Sequence, residues 1–519
     1  MSDFVDPTRQ SLAAMTQECL ELKKAALDES RPHAVTAQHK RGRLTARERV
    51  DQLVDSDSFS ELGQLARSAS RGEADPGDGI VVGRARVDRR PVVVVSYDFT
   101  VDGGSMGRVN DEKFARARQI SLRTGVPLVM LVEGGGARIT ERMGSTTIRG
   151  HERFSDLGLL SGWAPILCGV VGPTYAGHAN LVALSDFVVM LKGASLGLAG
   201  PRLVRAATGE DVQTEDFGPA FHARTVGSVE LEVDTEQELF RALRNYLRLM
   251  PSNSSMRPPR TERKSRDELL SDEVLSLIPG NSQRPYDMRS LIGLILDEED
   301  KLELKPSFAR NIVTTLGRIG GHVVGVVANN PMFMAGVLDS PASDKMARFI
   351  NICDAYGIPI VVLVDVPGYM VGKAAEKTNL MRRSMRPLWE ISQSTVPILT
   401  VVVRKAYGLA YHTMGGAEFH PELMVCWPSA RVSPMGAEGA VNILYGKDDT
   451  ITTEFKAEQV RHYKSLEEPI VAASEFKIDD IIDPRETRRV LLETLDFIDG
   501  SPHASGHWRP PKKRGIAPV

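Results

Sequence analysis

Apolar residues along this chain gather into short runs that are either rich in β-branched residues or continuously hydrophobic, and helix-forming stretches and glycine turns separate them. Residues 126–132 are continuously apolar, as a strand buried on both faces requires, and a further strand is predicted at 165–171. Residues 79–87 and 91–97 are β-branched runs divided by Asp88-Arg-Arg90, which predicts two strands joined by a turn. A further strand is predicted at 187–191. Helices are predicted over 8–28, 111–124 and 152–160, and the Thr45-x-x-Glu48 box opens another. Gly134-Gly-Gly136 ends the strand at 126–132 and leads into a helix start at Ala137-Arg-Ile-Thr-Glu-Arg142. A glycine-containing turn over 172–178 leads from the strand at 165–171 into a helix ending near Leu184. Strand, glycine turn and helix, recurring in that order, argue for an α/β layered fold.

The same plan is then written a second time. Strands are predicted at 312–316, 323–328, 360–365 and 398–403, a helix at 344–356, a loop at 366–371 and a turn at 405–408. Pro165-Ile-Leu and Pro397-Ile-Leu differ in position by 397 − 165 = 232. The same offset relates Gly125 and Pro127 to Gly357 and Pro359, Glu133 to Asp365, Gly136 to Gly368, and Tyr175 to Tyr407. It also relates Glu112-Lys-Phe-Ala-Arg116 to Asp344-Lys-Met-Ala-Arg348. A constant offset over so many landmarks is the signature of an internal duplication, and two copies suggest two half-sites. Residues 251–266 are polar, proline-bearing and aperiodic, the composition of a linker. Two domains follow, over 1–259 and 260–519.

Composition narrows the class. The 519 residues, 42% hydrophobic and 25% charged, suffice for two or three domains with substantial cores. A net charge of −3, spread along the chain, gives no general affinity for nucleic acid. Basic runs at 40–49 and 512–514 read first as solvated faces, although either could meet a phosphate-bearing ligand. Cys19, Cys168, Cys353 and Cys426 stand too far apart for a zinc motif or a disulfide framework, which points to a reducing compartment. Asp3 and Asp6, without an apolar run, resemble neither a secretory signal nor a transit peptide, and no run of about 20 apolar residues could cross a bilayer. The expectation is a cytoplasmic protein with no membrane insertion.

The glycine turns carry the candidate chemistry. A strand entering a helix through such a turn presents N–H groups that lack partners inside the helix, and these can hold an anion or a developing oxyanion. Gly177 with His178, and Leu409 with Ala410, are the two such pairs. Glycines that merely let a turn pack against a strand are the competing explanation for either pair. His178 and His412 stand near the pairs, where an acid or base could serve, or simply as packed neighbours. Gly193-Ala-Ser-Leu-Gly197 matches a nucleophile elbow, a pattern of little weight in a chain with 45 glycines. No phosphate-loop motif and no His-Glu-x-x-His motif is present. Residue chemistry thus reaches a duplicated α/β protein with two candidate oxyanion sites.

At these residues the chain resembles the carboxyltransferase (beta) subunits of biotin-dependent acyl-CoA carboxylases, of the propionyl-CoA and methylcrotonyl-CoA type. The segments that carry the resemblance are Gly42-Arg-Leu-Thr-Ala-Arg-Glu-Arg49, Gly135-Gly-Ala-Arg-Ile139, Leu198-Ala-Gly-Pro201, Ala206-Ala-Thr-Gly-Glu210 and Ala342-Ser-Asp-Lys345. Arg404-Lys-Ala-Tyr-Gly408, Val432-Ser-Pro-Met-Gly-Ala-Glu-Gly-Ala440 and the tail Lys512-Lys-Arg-Gly-Ile-Ala-Pro518 complete the set. The resemblance implies two tandem crotonase-like domains, the first binding acyl-CoA and the second carboxybiotin, in a homo-oligomer, usually a hexamer, whose sites form between domains of different subunits. It implies transfer of CO₂ to the α-carbon of the thioester through an enolate. Gly177 and His178 would hold the thioester oxyanion, and Leu409 and Ala410 the biotin ureido oxygen. Gly135, Gly136, Ala137, Arg138 and His412 would face the substrate, and Gly368, Tyr407 and Gly408 the cofactor. Biotin would arrive on a partner biotin carboxylase and carboxyl carrier (alpha) subunit, and no metal is expected in this chain.

Several positions depart from the family pattern. Leu409 stands for a common glycine, His412 for a frequent acidic residue, Gly134 for a common serine and His178 for a common glycine. Residues 373–386 do not match the usual glycine-bearing loop. Two alternatives accordingly stay open at this level: the same site run backwards in a biotin-dependent decarboxylase, and a non-catalytic structural paralogue.

Overall fold

The computed structural model describes residues 11–68, 77–145, 153–262, 269–448, 450–499 and 515–516. The chain forms two compact units, residues 1–222 with 232–244, and residues 223–231 with 245–519. Asp3 and Asp6, the start of the helix expected at 8–28, linker residues 263–266 and nearly all of the basic tail motif at 512–518 lie outside the described residues.

The first unit is built on one sheet. Its strands are β1 (Ser60–Leu62), β2 (Ile80–Val87), β3 (Arg90–Tyr97), β4 (Leu128–Gly134), β5 (Ile166–Tyr175), β6 (Phe187–Leu191), β7 (Ser195–Gly197) and β8 (Leu231–Val233). They lie in the order β1-β2-β3-β4-β5-β6-β8, with β7 continuing beside β5. β2 and β3 form the antiparallel hairpin, and β3, β4, β5 and β6 pair in parallel, as helical crossovers require. All seven residues of β4 are buried, which explains its unbroken apolar run.

The second unit repeats this sheet with β9 (Leu302–Leu304), β10 (Ile312–Ile319), β11 (His322–Asn329), β12 (Ile360–Val366), β13 (Ile398–Tyr407), β14 (Leu423–Cys426), β15 (Arg431–Ser433) and β16 (Asp480–Ile481). The order is again sequential from β9 to β14 and then β16, with β15 beside β13. Adding 232 to the bounds of β2, β3, β4 and β5 returns those of β10, β11, β12 and β13. The helices Arg108–Thr124 and Ser340–Ala355 keep the offset at their starts. Trp427, Leu363, Val401, Ile292 and Leu491 belong to the buried apolar core of this unit.

Local chemistry accounts for the elements. Thr45 and Glu48 form the expected capping box at the start of the helix Ala46–Leu53. The β2–β3 turn has Asp88 and Arg89 at φ 49° and 67°, and the β10–β11 turn has Gly320 and Gly321 at 56° and 86°. Both turns meet the demand of a tight hairpin for left-handed residues. The Asp55 carboxylate accepts from the N–H groups of Asp88 and Arg89 at 2.9 and 2.7 Å, and Asp297 does so for Gly320 and Gly321 at 3.2 and 3.0 Å.

Two expected turns are shorter than the sequence suggests. β5 continues to Tyr175 because Pro173, Thr174 and Tyr175 pair with β7, so the turn expected at 172–178 contracts to Ala176. β13 likewise continues to Tyr407, whose segment pairs with β15. The 373–386 stretch is helical, with helices Lys373–Glu376 and Leu380–Gln393. Among the described residues no helix is long and apolar enough to cross a membrane, and no cluster of three or more His, Cys, Asp or Glu is arranged to hold a metal.

Candidate functional site

In the first unit, β5 runs directly into the helix Gly177–Ala183 through Ala176, whose φ of 52° and ψ of −122° suit glycine better than an L-residue. Gly177 and His178 are the first two residues of that helix, so their N–H groups precede any carbonyl one turn back. The next donor pairing begins at Asn180, which donates to the Ala176 carbonyl at 3.1 Å. The helix start is closely packed: a Cβ on Gly177 would lie 3.0 Å from Met106 Sδ and 3.3 Å from Arg153 Nη1.

The glycine loop after β4 lies against this helix start. Met106 N–H donates to the Gly136 carbonyl at 2.8 Å, and Arg138 N–H donates to the Met106 carbonyl at 2.9 Å. Gly136, at φ 93°, has no room for a side chain, since a Cβ there would come within 2.7 Å of Ala176 Cβ. Gly136 N–H donates to His178 Nδ1 at 3.1 Å. Gly135 and Ala137 are the exposed members of the loop, whereas Gly136 and Arg138 are buried. The Arg138 guanidinium is paired with Asp78, Asp102 (3.1 Å) and Glu141 (2.9 Å) and donates to the Ser105 carbonyl at 3.1 Å. Its charge is therefore engaged in holding the loop.

His178 is wholly buried. Its ring meets Tyr97 edge-on at 4.5 Å between centroids. Burial, and behind it the Arg153 charge, push the imidazole down to about 3. It is neutral at physiological pH and does not titrate near neutrality as an acid or base must.

The second unit has the same backbone frame. Leu338 N–H donates to the Gly368 carbonyl at 3.1 Å and Met370 N–H to the Leu338 carbonyl at 2.8 Å, each residue 232 positions beyond its counterpart. The helix Gly408–Thr413 follows β13, with Gly408 at φ 60° and with Leu409 and Ala410 in its first turn. Ala410 is buried and Leu409 is 44% exposed. His412 sits one turn further on, half-buried, with Nδ1 3.1 Å from a Glu418 carboxylate oxygen. Tyr369 anchors this loop, its hydroxyl donating to the Ser384 carbonyl at 3.2 Å and meeting Thr413 Oγ1 at 3.1 Å. The Tyr407 hydroxyl donates to Glu467 at 2.8 Å, and the other Glu467 oxygen accepts from Ala437 N–H at 2.7 Å. A cleft of about 520 Å³ opens beside Tyr407, with Lys405, Gly436, Glu438 and Lys464 among its walls.

A buried carboxylate stands behind each loop. Glu133 is paired with Arg49, which also reaches Glu236 at 2.7 Å. Asp365 accepts from Arg404 Nε and the Tyr286 hydroxyl, both at 2.9 Å, and from Lys405 N–H at 3.2 Å. Burial pushes both carboxyls up, and the facing arginines pull them back. Each pairing removes a negative charge from the rear of a loop whose front presents N–H donors.

Two helix starts, each braced by a glycine loop, give main-chain donors suited to two oxyanions or carbonyl oxygens. Sequence reading had singled out both pairs. It had not found Arg49, Glu236, Tyr286 or Glu467, although the equivalence of Glu133 and Asp365 under the offset was a signal to look for their cations.

The carboxyl transferase domain model matches residues 37–510. The biotin-dependent acetyl-/propionyl-coenzyme A carboxylase beta5 subunit of Mycobacterium leprae is 38% identical over 504 residues, covering 93% of this chain and 91% of that protein. The methylmalonyl-CoA decarboxylase subunit alpha of Veillonella parvula is 35% identical over 520 residues, covering 99% and 100%. The transcarboxylase 12S crystal structure, a hexamer with methylmalonyl-coenzyme A and methylmalonic acid bound, superimposes with a TM-score of 0.90 at 33% identity, covering 98% of this chain and 100% of that one.

Proposed function

The chain belongs to the carboxyl transferase family, and from that premise we propose that it moves a carboxyl group between biotin and the α-carbon of an acyl-CoA. The observation that carries this reading is the pair of loop-braced helix starts, one in each half, whose donors are main-chain N–H groups. The N–H groups of Gly177 and His178 hold the thioester oxygen as it gains charge in the enolate. In a dry setting such donors, already in place, stabilise that charge without reorganisation. Gly135 and Ala137 face the acyl-CoA, while Gly136 and Arg138 fix the loop that presents them.

The second half suits a ureido group: Leu409 and Ala410 offer N–H donors to its carbonyl oxygen, and the exposed Leu409 side chain offers apolar surface beside them. Gly368, Tyr407 and Gly408 shape that site, and His412 borders it. When bound, carboxybiotin supplies the carboxyl group and a nitrogen that can take the α-proton, so no side chain of this chain need act as base. Biotin arrives on a partner alpha subunit, and this chain works without a metal, in the cytoplasm, as a homo-oligomer of hexameric size. The likeness to the Veillonella decarboxylase subunit supports a second reading in which the same site runs in reverse, the direction being set by the partner.

The test is exchange of labelled carboxyl between malonyl-type CoA thioesters and free biotin by the purified chain. Exchange is expected, with a preference among acyl lengths, from an assembly that sediments as a hexamer. Its absence from a folded hexamer overturns the proposal.

A further inference from the structure

The two halves differ at one side chain of the helix start. Adding 232 to 178 gives Ala410, which carries nothing that could accept a hydrogen bond, whereas His178 accepts Gly136 N–H at 3.1 Å. Because that N–H points at Nδ1, Nδ1 carries no proton and the ring proton sits on Nε2. The Gly104 carbonyl lies on that side of the ring. The imidazole also occupies the space next to Gly134. A Cβ there would lie 2.6 Å from His178 Cε1, 2.9 Å from Nε2 and 2.7 Å from the Gly104 carbonyl. A side chain at 134 and a ring at 178 thus compete for one volume, and in this chain the ring holds it.

We propose that His178 is a positioning residue: a neutral strut that locks the loop at 134–136 onto the start of the helix Gly177–Ala183 and withdraws Gly136 N–H from the donors open to a ligand. The inference rests on the reading that this loop and helix start hold the acyl thioester. It assigns the residue two separable parts, a main-chain donor to substrate and a side-chain brace for the loop. The charged and titratable groups around the ring are Tyr97, in a T-shaped contact with it, and Arg153, whose positive charge further disfavours protonation. Protonating Nδ1 would turn the acceptor into a donor facing another donor, so the ring cannot relay protons without releasing the loop.

The experiment compares three variants of the full-length oligomer, all of which keep the N–H of residue 178. His178→Ala removes the acceptor. His178→Asn places a carbonyl oxygen near the position of Nδ1, and His178→Leu fills the volume without an acceptor. Amide hydrogen exchange over 134–137 is expected to quicken by ~10-fold or more in the alanine and leucine variants and to return to within ~3-fold of wild type with asparagine. Turnover in carboxyl exchange is expected to fall ~10-fold or more with alanine and to be largely restored by asparagine, with the pH profile between 6 and 9 unchanged in every variant. If the alanine variant does not assemble, the leucine and asparagine pair makes the same comparison. Unaltered loop exchange without the acceptor, quickened exchange with untouched turnover, or a lost pH limb that asparagine fails to restore each overturns the proposal. A wild-type enzyme without carboxyl exchange is a separate failure, that of the functional reading, because the amide measurement needs no substrate.

Discussion

Glu133 and Asp365 stand at the same place in two equivalent sheets, yet their cations come from different parts of the chain. Arg49 reaches Glu133 from the helix Ala46–Leu53, 84 residues away, and Arg404 reaches Asp365 from β13 of the same sheet, 39 residues away. Position 404 less 232 is Gly172, where a Cβ would already lie 2.4 Å from the Glu133 carboxylate. One half therefore carries its arginine in the sheet, and the other keeps a glycine there and brings the charge in from outside. The helix starts differ in the same way: Ala176 holds in one half the positive φ that Gly408 holds in the other. What persists is the backbone frame, the strand bounds and the paired bonds through Met106 and Leu338. What drifts is the side-chain supply around it, since a buried charge must be neutralised but the direction of the neutralising group is free.

The largest effect is expected where that supply is cut. Arg49→Met leaves Glu133 and Glu236 without their shared cation, with only the longer contacts of Arg43 at 3.5 Å and Gln38 at 3.3 Å left to Glu133, and should cost ~3–5 kcal/mol in chemical denaturation; Arg404→Met should cost less, because the Tyr286 hydroxyl at 2.9 Å and Lys405 N–H at 3.2 Å still serve Asp365. The sign with pH follows from the raised Glu133 carboxyl: the folded state then binds more protons than the unfolded one, so stability falls as pH rises above the ordinary carboxylate range. The Arg49→Met deficit should accordingly shrink from pH 8 towards pH 5. A deficit that grows on acidification would show that the arginine serves some other group.

Donor removal comes next. Gly177→Pro and Leu409→Pro should each lower kcat for carboxyl exchange by ~10²-fold or more, with Leu409→Ala as the control that keeps the N–H. Loss in only one half would break the equivalence and leave a single oxyanion site. Leu409→Gly should widen the accepted acyl set and His412→Asp should shift it, by ~1–3 kcal/mol per methylene in kcat/KM for acetyl-, propionyl- and a branched acyl-CoA. Unchanged ratios across the three would remove both side chains from the pocket.

The smallest expected effect is a reciprocal one. Ala176→Gly should raise stability by ~1 kcal/mol by relieving an L-residue of its positive φ, and Gly408→Ala should lower it by a similar amount. Equal signs in a thermal melt would mean that contacts, not backbone conformation, decide these positions.

By itself the sequence determined the central strands of each half, the first hairpin and the duplication, and it singled out the two candidate donor pairs. These depend on neighbours within a few residues, on continuous apolar runs, glycine turns and a capping box, and on an offset that survives because both copies must close the same sheet. It could not show that β5 runs on past Gly172 to Tyr175, or β13 past Val403 to Tyr407, because those extensions rest on pairing with β7 and β15. Nor could it show that His178, which resembled a candidate acid or base, would be buried against Tyr97 and bonded to Gly136 across 42 residues. Only the packed structure decided which donor was already spent, that Arg138 holds the loop, and that Arg49 joins Glu133 to Glu236. Such pairings unite groups 42 to 187 residues apart in sequence, and they form because burial leaves each polar group the choice of a partner or a large desolvation cost.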